Sequence, residues 1–282
     1  MAVEDLVATC WTTAGDSAPG RPDERSPLTL RERVEAAATA GFRGFGLLYA
    51  DLVEAEREYG LPGIRTLFED NGLVHVELEF LTDWWTDGPR RAASDAVRRD
   101  LLRAAETLGA RHIKIGPDVE DGPWDLDRWA GEFAALAEQA DGAGVRLGIE
   151  FLPWSNIRTV HDALRLVEAA GHPAGGLVID VWHTERALTP PADLARVPAS
   201  RIVAVELDDA DSEVVGTLFE DTVRRRRLCG EGSFDLPGII AALRAAGWSG
   251  PWGVEILSDA HRSLPVREAA AAAYRSAVAV LK

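Results

Sequence analysis

Residues 146–183 read RLGIEFL PWSNIR TVHDALRLVEAA GHPAG GLVIDV WH, and the fold is legible from them. Arg146–Leu152 is an apolar run with the length of a buried strand, and it carries Glu150. Thr159–Ala170 has helical spacing and stops at Gly171, the residue type that most readily closes a helix in the left-handed conformation. Gly176–Val181 is a second apolar run, and it reaches Asp180. The stretch is one β-α-β unit in which each strand runs into a carboxylate.

The same grammar extends in both directions. Further strand-like runs are Leu6–Trp11, Gly44–Tyr49, Val74–Phe80, His112–Gly116, Ile202–Leu207 and Gly253–Leu257. Between them lie helix-like stretches at Leu28–Ala40, Ala92–Leu108, Asp125–Ala140 and Leu236–Ala246, with Pro265–Leu281 closing the chain. Gly41, Gly109 and Gly247 supply further helix stops. Strands alternating with helices predict an α/β fold with parallel strands. An open doubly wound sheet would carry a Gly-rich phosphate turn after its first strand. Thr12-Thr13-Ala14-Gly15-Asp16 has no such pattern, so a closed (β/α)8 TIM barrel is expected. The 282 residues fit that expectation, since such barrels take roughly 250. No composition shift divides the chain, which predicts a single domain over residues 1–282. Asp16–Ser26 reads as an exposed loop that could serve as a lid, and Ala210–Arg227 as a second long, charged loop.

The net charge of -16 argues against nucleic acid and against an anionic membrane surface as partners. No apolar run approaches the roughly 18 residues of a membrane span. Cys10 and Cys229 are too few and too far apart for a disulfide framework. Met1-Ala2-Val3-Glu4-Asp5 lacks the basic and apolar regions of a signal peptide. A cytoplasmic protein with two reduced thiols is expected.

Active sites of TIM barrels sit at the C-terminal ends of the strands. Here strand five ends in Glu150, strand six in Asp180, strand seven in Glu206 and strand eight in Glu255. Gly148, Val178, Ala204 and Gly253 precede them by two positions and so share their face. Those small or β-branched residues suit a crowded lumen, which points the acids inward. Four inward carboxylates at one height repel one another unless protons or a cation neutralise them. An all-oxygen set suits a hard divalent ion. Taken singly, each acid is more simply a loop or helix cap, and Asp208 and Asp209 carry only that weaker reading.

Gly148-Ile149-Glu150-Phe151, Asp180-Val181-Trp182-His183, Glu206-Leu207-Asp208-Asp209-Ala210, Gly230-Glu231-Gly232 and Gly253-Val254-Glu255-Ile256 resemble the signatures of the xylose-isomerase-like TIM-barrel sugar phosphate isomerases and epimerases. The resemblance covers nearly the whole chain, including Gly41-Phe42-Arg43-Gly44-Phe45. It implies that Glu150, Asp180, Glu206 and Glu255 bind a divalent metal, Mn²⁺ ahead of Mg²⁺ or Co²⁺. The position of Glu206 is often His in ketose epimerases of this kind. The resemblance further implies Glu150 and Glu255 as the acid–base pair, and substrate contacts from His183 and from Arg226 or Arg227. Homo-oligomers are usual in such a family, although the sequence displays no interface.

The chemistry expected is proton abstraction beside a carbonyl, through an enediolate, on a sugar or keto-sugar. Isomerisation, epimerisation and β-elimination share that first step, so a keto-glycoside lyase, C-deglycosidase or dehydratase is the alternative. A non-catalytic ligand-binding barrel is the third reading. An abasic-site endonuclease would want more His ligands and a basic face. Glu79 shares parity with His75 and Glu77 on strand three, which directs it either to the site or to the helix–strand layer, and Lys114 shares parity with His112 on strand four, either for the acids or a substrate hydroxyl or for a buried salt bridge. Trp11, Trp84, Trp85, Trp154 and Trp182 fall at strand ends, where aromatic faces can pack against a sugar; Trp129 and Trp248 are expected to pack helices. His161, His172 and His261 are expected to be solvated. The absence of a phosphate-cradling loop favours an unphosphorylated substrate.

Overall fold

The computed structural model describes residues 4–120 and 122–282. The leader reading at Met1–Asp5 therefore lies partly outside the described residues. Eight parallel strands close into a barrel: β1 Leu6–Ala8, β2 Gly44–Leu48, β3 His75–Leu81, β4 His112–Ile115, β5 Arg146–Glu150, β6 Gly175–Asp180, β7 Ile202–Leu207 and β8 Trp252–Val254. β1 pairs with both β2 and β8, which removes the sheet edges. The expected α/β (β/α)8 architecture is the one observed.

Strand alternation sorts the side chains into two layers. Phe45, Leu78, Ile113, Ile149, Ile179 and Val205 enter the apolar layer between barrel and helices. Their neighbours fill the lumen, and from β3 to β7 these include buried Glu77, Glu79, His112, Lys114, Glu150, Asp180 and Glu206. TIM-barrel lumens are usually packed with branched apolar residues. This one is polar over half its circumference.

Helix starts follow their caps. Thr29 with Glu32 and Thr159 with Asp162 form reciprocal capping boxes, so the first helix begins at Leu30, two residues later than its apolar pattern suggests. Gly41, Gly109 and Gly171 cap helices at φ 114°, 66° and 67°. After β2 the helical segment Tyr49–Asp70 breaks at Gly60, whose φ of 65° and ψ of 158° are non-helical, just before Pro62.

Three expectations need correction. β8 ends at Val254 rather than Leu257, so Glu255 stands one residue past the strand. β1 ends at Ala8 rather than Trp11, and Cys10–Thr13 forms a 3₁₀ turn. The Thr12 hydroxyl causes the bend: its Oγ1 donates to the Val254 carbonyl at 2.6 Å and accepts from Ile256 N–H at 3.0 Å. Ala210–Arg227 is not all loop, because Leu218–Arg225 is helical behind a Thr217–Glu220 capping box. No helix among the described residues is long and apolar enough to cross a membrane.

Candidate active site

The strand ends deliver carboxylates to one place. β6 and β7 pair Asp180 with Glu206, and β7 and β8 pair Glu206 with Gly253. Gly253 leaves room for its neighbour: a Cβ there would lie 3.0 Å from Glu206 Cγ. One oxygen from each of Glu150, Asp180, Glu206 and Glu255 lies within 4.8 Å of the others. The four acids singled out from sequence thus converge.

Lys114 from β4 rises into this cluster. Its Nζ stands 2.7 Å from Glu206, 3.0 Å from Glu79, 3.4 Å from Glu255 and 3.7 Å from Glu150. Of its two alternatives, the buried salt bridge is present. Burial opposes the charge on Lys114, but the surrounding carboxylates outweigh it and hold its pKa well above the ordinary value. Burial, opposed by Lys114 and reinforced by Glu255, pushes Glu150 up to about 8. Glu206 is raised for the same reasons.

A second cation serves the opposite side. Arg226 Nη1 contacts Asp180 at 2.7 Å and Glu255 at 3.2 Å, and also bonds Asp208. Its Nε and Nη2 donate to Thr222 Oγ1 at 3.1 and 3.0 Å. Arg227 does not face the site. Its side chain is 50% exposed and pairs with Asp211, whereas Arg226 is 1% exposed. The two alternate because the chain is extended here. Asp209 N–H donates to the Arg227 carbonyl at 3.2 Å, and Arg227 N–H returns a bond to the Asp209 carbonyl at 2.6 Å.

The carboxylate of Asp209 is a hub for the next loop. It accepts from the backbone N–H groups of Ala210, Gly230, Gly232 and Phe234 at 2.8–3.1 Å. His183 stands 3.7 Å from Glu150 and is capped by Asp180, whose Oδ1 accepts its backbone N–H at 2.9 Å. Burial, then Arg226 and Lys114, hold its pKa well below the ordinary value.

Above the cluster opens a cavity of about 680 Å³. Glu79, Lys114, Glu150, His183, Arg226 and Glu255 form its floor, and Trp11 and Trp154 stand in its walls. Of the five tryptophans expected at the mouth, Trp84, Trp85 and Trp182 do not line the cavity, while Trp129 and Trp248 pack in the helix layer as expected. Trp84 and Trp85 pack on Trp129 at 4.9 and 4.7 Å, in the helix layer. Trp182 is fully buried behind Trp154 and His183. His261 is also buried, with Nε2 2.9 Å from the Thr12 carbonyl, while His161 is exposed as expected. Phe219 and Thr222 line the cavity and were hidden in the segment read as loop. The Thr217-x-x-Glu220 capping box was the signal that could have found them.

The donor set fits a divalent ion. Glu150 Oε1 and Glu206 Oε1 are buried without a hydrogen-bond partner among the described residues. Glu206 Oε1 is close to Lys114, but the well-formed bond goes to Oε2 at 2.9 Å. Glu79, Glu150, Asp180, Glu206, Asp208 and Glu255 are buried against one ammonium and one guanidinium, which leaves negative charge to be neutralised.

The family model described as "xylose isomerase-like TIM barrel" matches residues 34–282. A 3-dehydroshikimate dehydratase of Pseudomonas putida is 30% identical over 257 residues, which are 88% of this chain and 39% of that protein. The chain thus spans well under half the length of that relative. An inosose isomerase of Bacillus velezensis is 23% identical over 262 residues, 89% of this chain and 92% of the other. A solved structure of the IolI protein with a bound zinc atom superposes with a TM-score of 0.84 at 20% identity, covering 98% of each chain.

Proposed function

We propose that the chain, which belongs to the xylose isomerase-like TIM barrel family, is a divalent-metal-dependent enzyme that removes a proton beside the ketone of a small cyclic polyol and isomerises or epimerises it. The observation that carries this reading is the convergence of Glu150, Asp180, Glu206 and Glu255 within 4.8 Å under an open cavity. Those four would hold the ion, and the all-oxygen donors suit Mn²⁺ or Mg²⁺. When bound, such an ion supplies Lewis-acid stabilisation of the negative charge that develops on the substrate oxygen.

The remaining roles belong to the chain's own groups. Glu150 and Glu255 are the acid–base pair: one carboxylate takes the proton from carbon and the other carboxyl returns one. Arg226 and Lys114 fix the two oxygens of Glu255 from opposite sides, at 3.2 and 3.4 Å. His183 and Glu79 stand where substrate hydroxyls would lie, with the rings of Trp11 and Trp154 beside them.

Dehydration is the second reading, favoured by the 30% identity to the dehydratase over 88% of this chain. There the C–H and β C–O bonds break, a C=C bond forms, and the leaving oxygen takes its proton from the second carboxyl. Dehydroshikimate and inosose are both six-membered carbocyclic ketones with hydroxyls, so one floor can serve either course. The same proposal takes residues 1–282 as one catalytic domain working in the cytoplasm, in keeping with two free buried thiols.

The test is deuterium exchange into cyclic keto-polyols in D2O with Mn²⁺-loaded protein, read by NMR, which also distinguishes isomer from enone. Exchange that falls at least about a hundredfold in Glu150→Gln supports the reading. No exchange into any neutral or anionic ketone by the wild type overturns it.

A further inference from the structure

The cavity is divided sharply by chemistry. Every cation that lines it sits on the floor and is already engaged. Lys114 is surrounded by Glu79, Glu150, Glu206 and Glu255. Arg226 is taken by Asp180, Asp208 and Glu255. A divalent ion among the four carboxylates would still leave Lys114 with Glu79 at 3.0 Å. His183 is buried, with its ring already facing Glu150 at 3.7 Å. Among the described lining residues no positive group is left for a ligand anion.

The rim adds charge of the opposite sign. Glu24, in the loop expected to act as a lid, lines the cavity, and its Oε1 accepts the Gly20 N–H at 2.7 Å. The chain as a whole carries a net charge of -16, which repels anions at longer range. An anionic group entering this cavity would shed water and meet carboxylates.

The walls, by contrast, are apolar. Trp11, Leu48, Phe80, Leu152, Trp154 and Phe219 line them. Phe219 is 40% exposed and sits edge-on to Trp154 with centroids 6.0 Å apart. On its other side it lies so close to Gly20 that a Cβ there would be 2.9 Å from the ring. The helix carrying Phe219 and the loop carrying Gly20 therefore meet over the floor and wall it with aromatic surface.

We infer that this site takes a neutral ketone bearing an aromatic or comparably apolar substituent, and discriminates against ketones bearing a carboxylate or phosphate. The inference rests on the enolisation reading above and narrows its substrate class. It also separates this chain from its dehydratase relatives, because 3-dehydroshikimate is a carboxylate. Glu24 is the residue that sets the charge preference at the rim, and Phe219 the one that sets the apolar preference.

Binding to Mn²⁺-loaded protein is measured by tryptophan fluorescence, with Trp11 and Trp154 in the wall as reporters. Two matched pairs serve as probes: 3-dehydroshikimate against its methyl ester, and phenyl against methyl 3-keto-glucoside. The ester is expected to bind at least about tenfold more tightly than the acid, and the phenyl glycoside at least about tenfold more tightly than the methyl one. Glu24→Gln, which keeps an acceptor for Gly20, is expected to narrow the first gap by about two- to fivefold. Phe219→Ala is expected to narrow the second. Equal or tighter binding of the acid, no gain from phenyl, or no binding by any probe overturns the inference. The same ligands in D2O keep the two proposals apart. A neutral ketone that binds selectively and never exchanges refutes enolisation, and exchange that favours the acid refutes only the selection.

Discussion

Replacing Lys114 by Met would expose how the lumen tolerates its own charge. The ammonium contacts Glu79, Glu150, Glu206 and Glu255 at 2.7–3.7 Å and is 3% exposed. Removing one partner from a buried ionic cluster costs about 3–5 kcal/mol, since the remaining charges stay buried and uncompensated. Unfolding entropy is about 2.1 cal/mol/K per residue, so in a chain of 282 residues that cost lowers Tm by roughly 5–8 °C. The assay is a thermal melt of chelator-treated protein at pH 8, with and without Mn²⁺. A divalent ion replaces the missing positive charge, and at a hundred times its Kd it stabilises the folded state by about 2.7 kcal/mol. The variant should therefore bind Mn²⁺ more tightly than the wild type, for want of a competing ammonium, and recover most of its lost Tm. An unchanged metal-free Tm, or a Mn²⁺ response no larger than the wild type's, would refute the reasoning.

Two other outcomes follow from the same charges. Burial raises Glu77 from 4.5 to about 7 in the folded protein, so folding takes up a proton between those values, and stability falls as pH rises through that window. Urea titrations at pH 5 and pH 8 should show Glu77→Gln losing less stability than wild type across the interval, by up to about 3 kcal/mol. At the adjacent arginines, Arg226→Met should cost about 3–5 kcal/mol by stranding Asp180 and Asp208, whereas Arg227→Met should stay within about 0.5 kcal/mol. Equal effects in a denaturant titration would contradict the assignment of Arg226 to the floor.

Much of this architecture is written locally. The strand-ending acids, the small residues two positions before them and the glycine helix stops each act within a few residues, so the barrel and the convergence of Glu150, Asp180, Glu206 and Glu255 could be anticipated. Features built across the barrel were less accessible. The end of β1 depends on Thr12 bonding to Val254 and Ile256, at the far end of the chain. Lys114 shares its parity with His112 in the sequence, but its face and the partners brought to it from β3, β5, β7 and β8 are set across the barrel. Trp84 and Trp85 stand near a strand end, yet they turn into the helix layer because Trp129 and Phe133 offer aromatic surface there. In the run of arginines at 224–227 composition is uniform, and the backbone bridges of Arg227 to Asp209 and of Arg225 to Ser258 decide that Arg226 points inward.

That bridge has a consequence for how such a protein diversifies. The paired backbone bonds between Asp209 and Arg227 clamp both feet of the intervening excursion, and the Asp209 carboxylate independently moors the glycine-rich turn that follows. Residues 211–225 thus form a cartridge whose ends are fixed whatever its contents. Changes there that keep the Thr222 bonds to Arg226 leave the floor in place, so the walls can be rebuilt for another ligand while the carboxylate cluster stays constant.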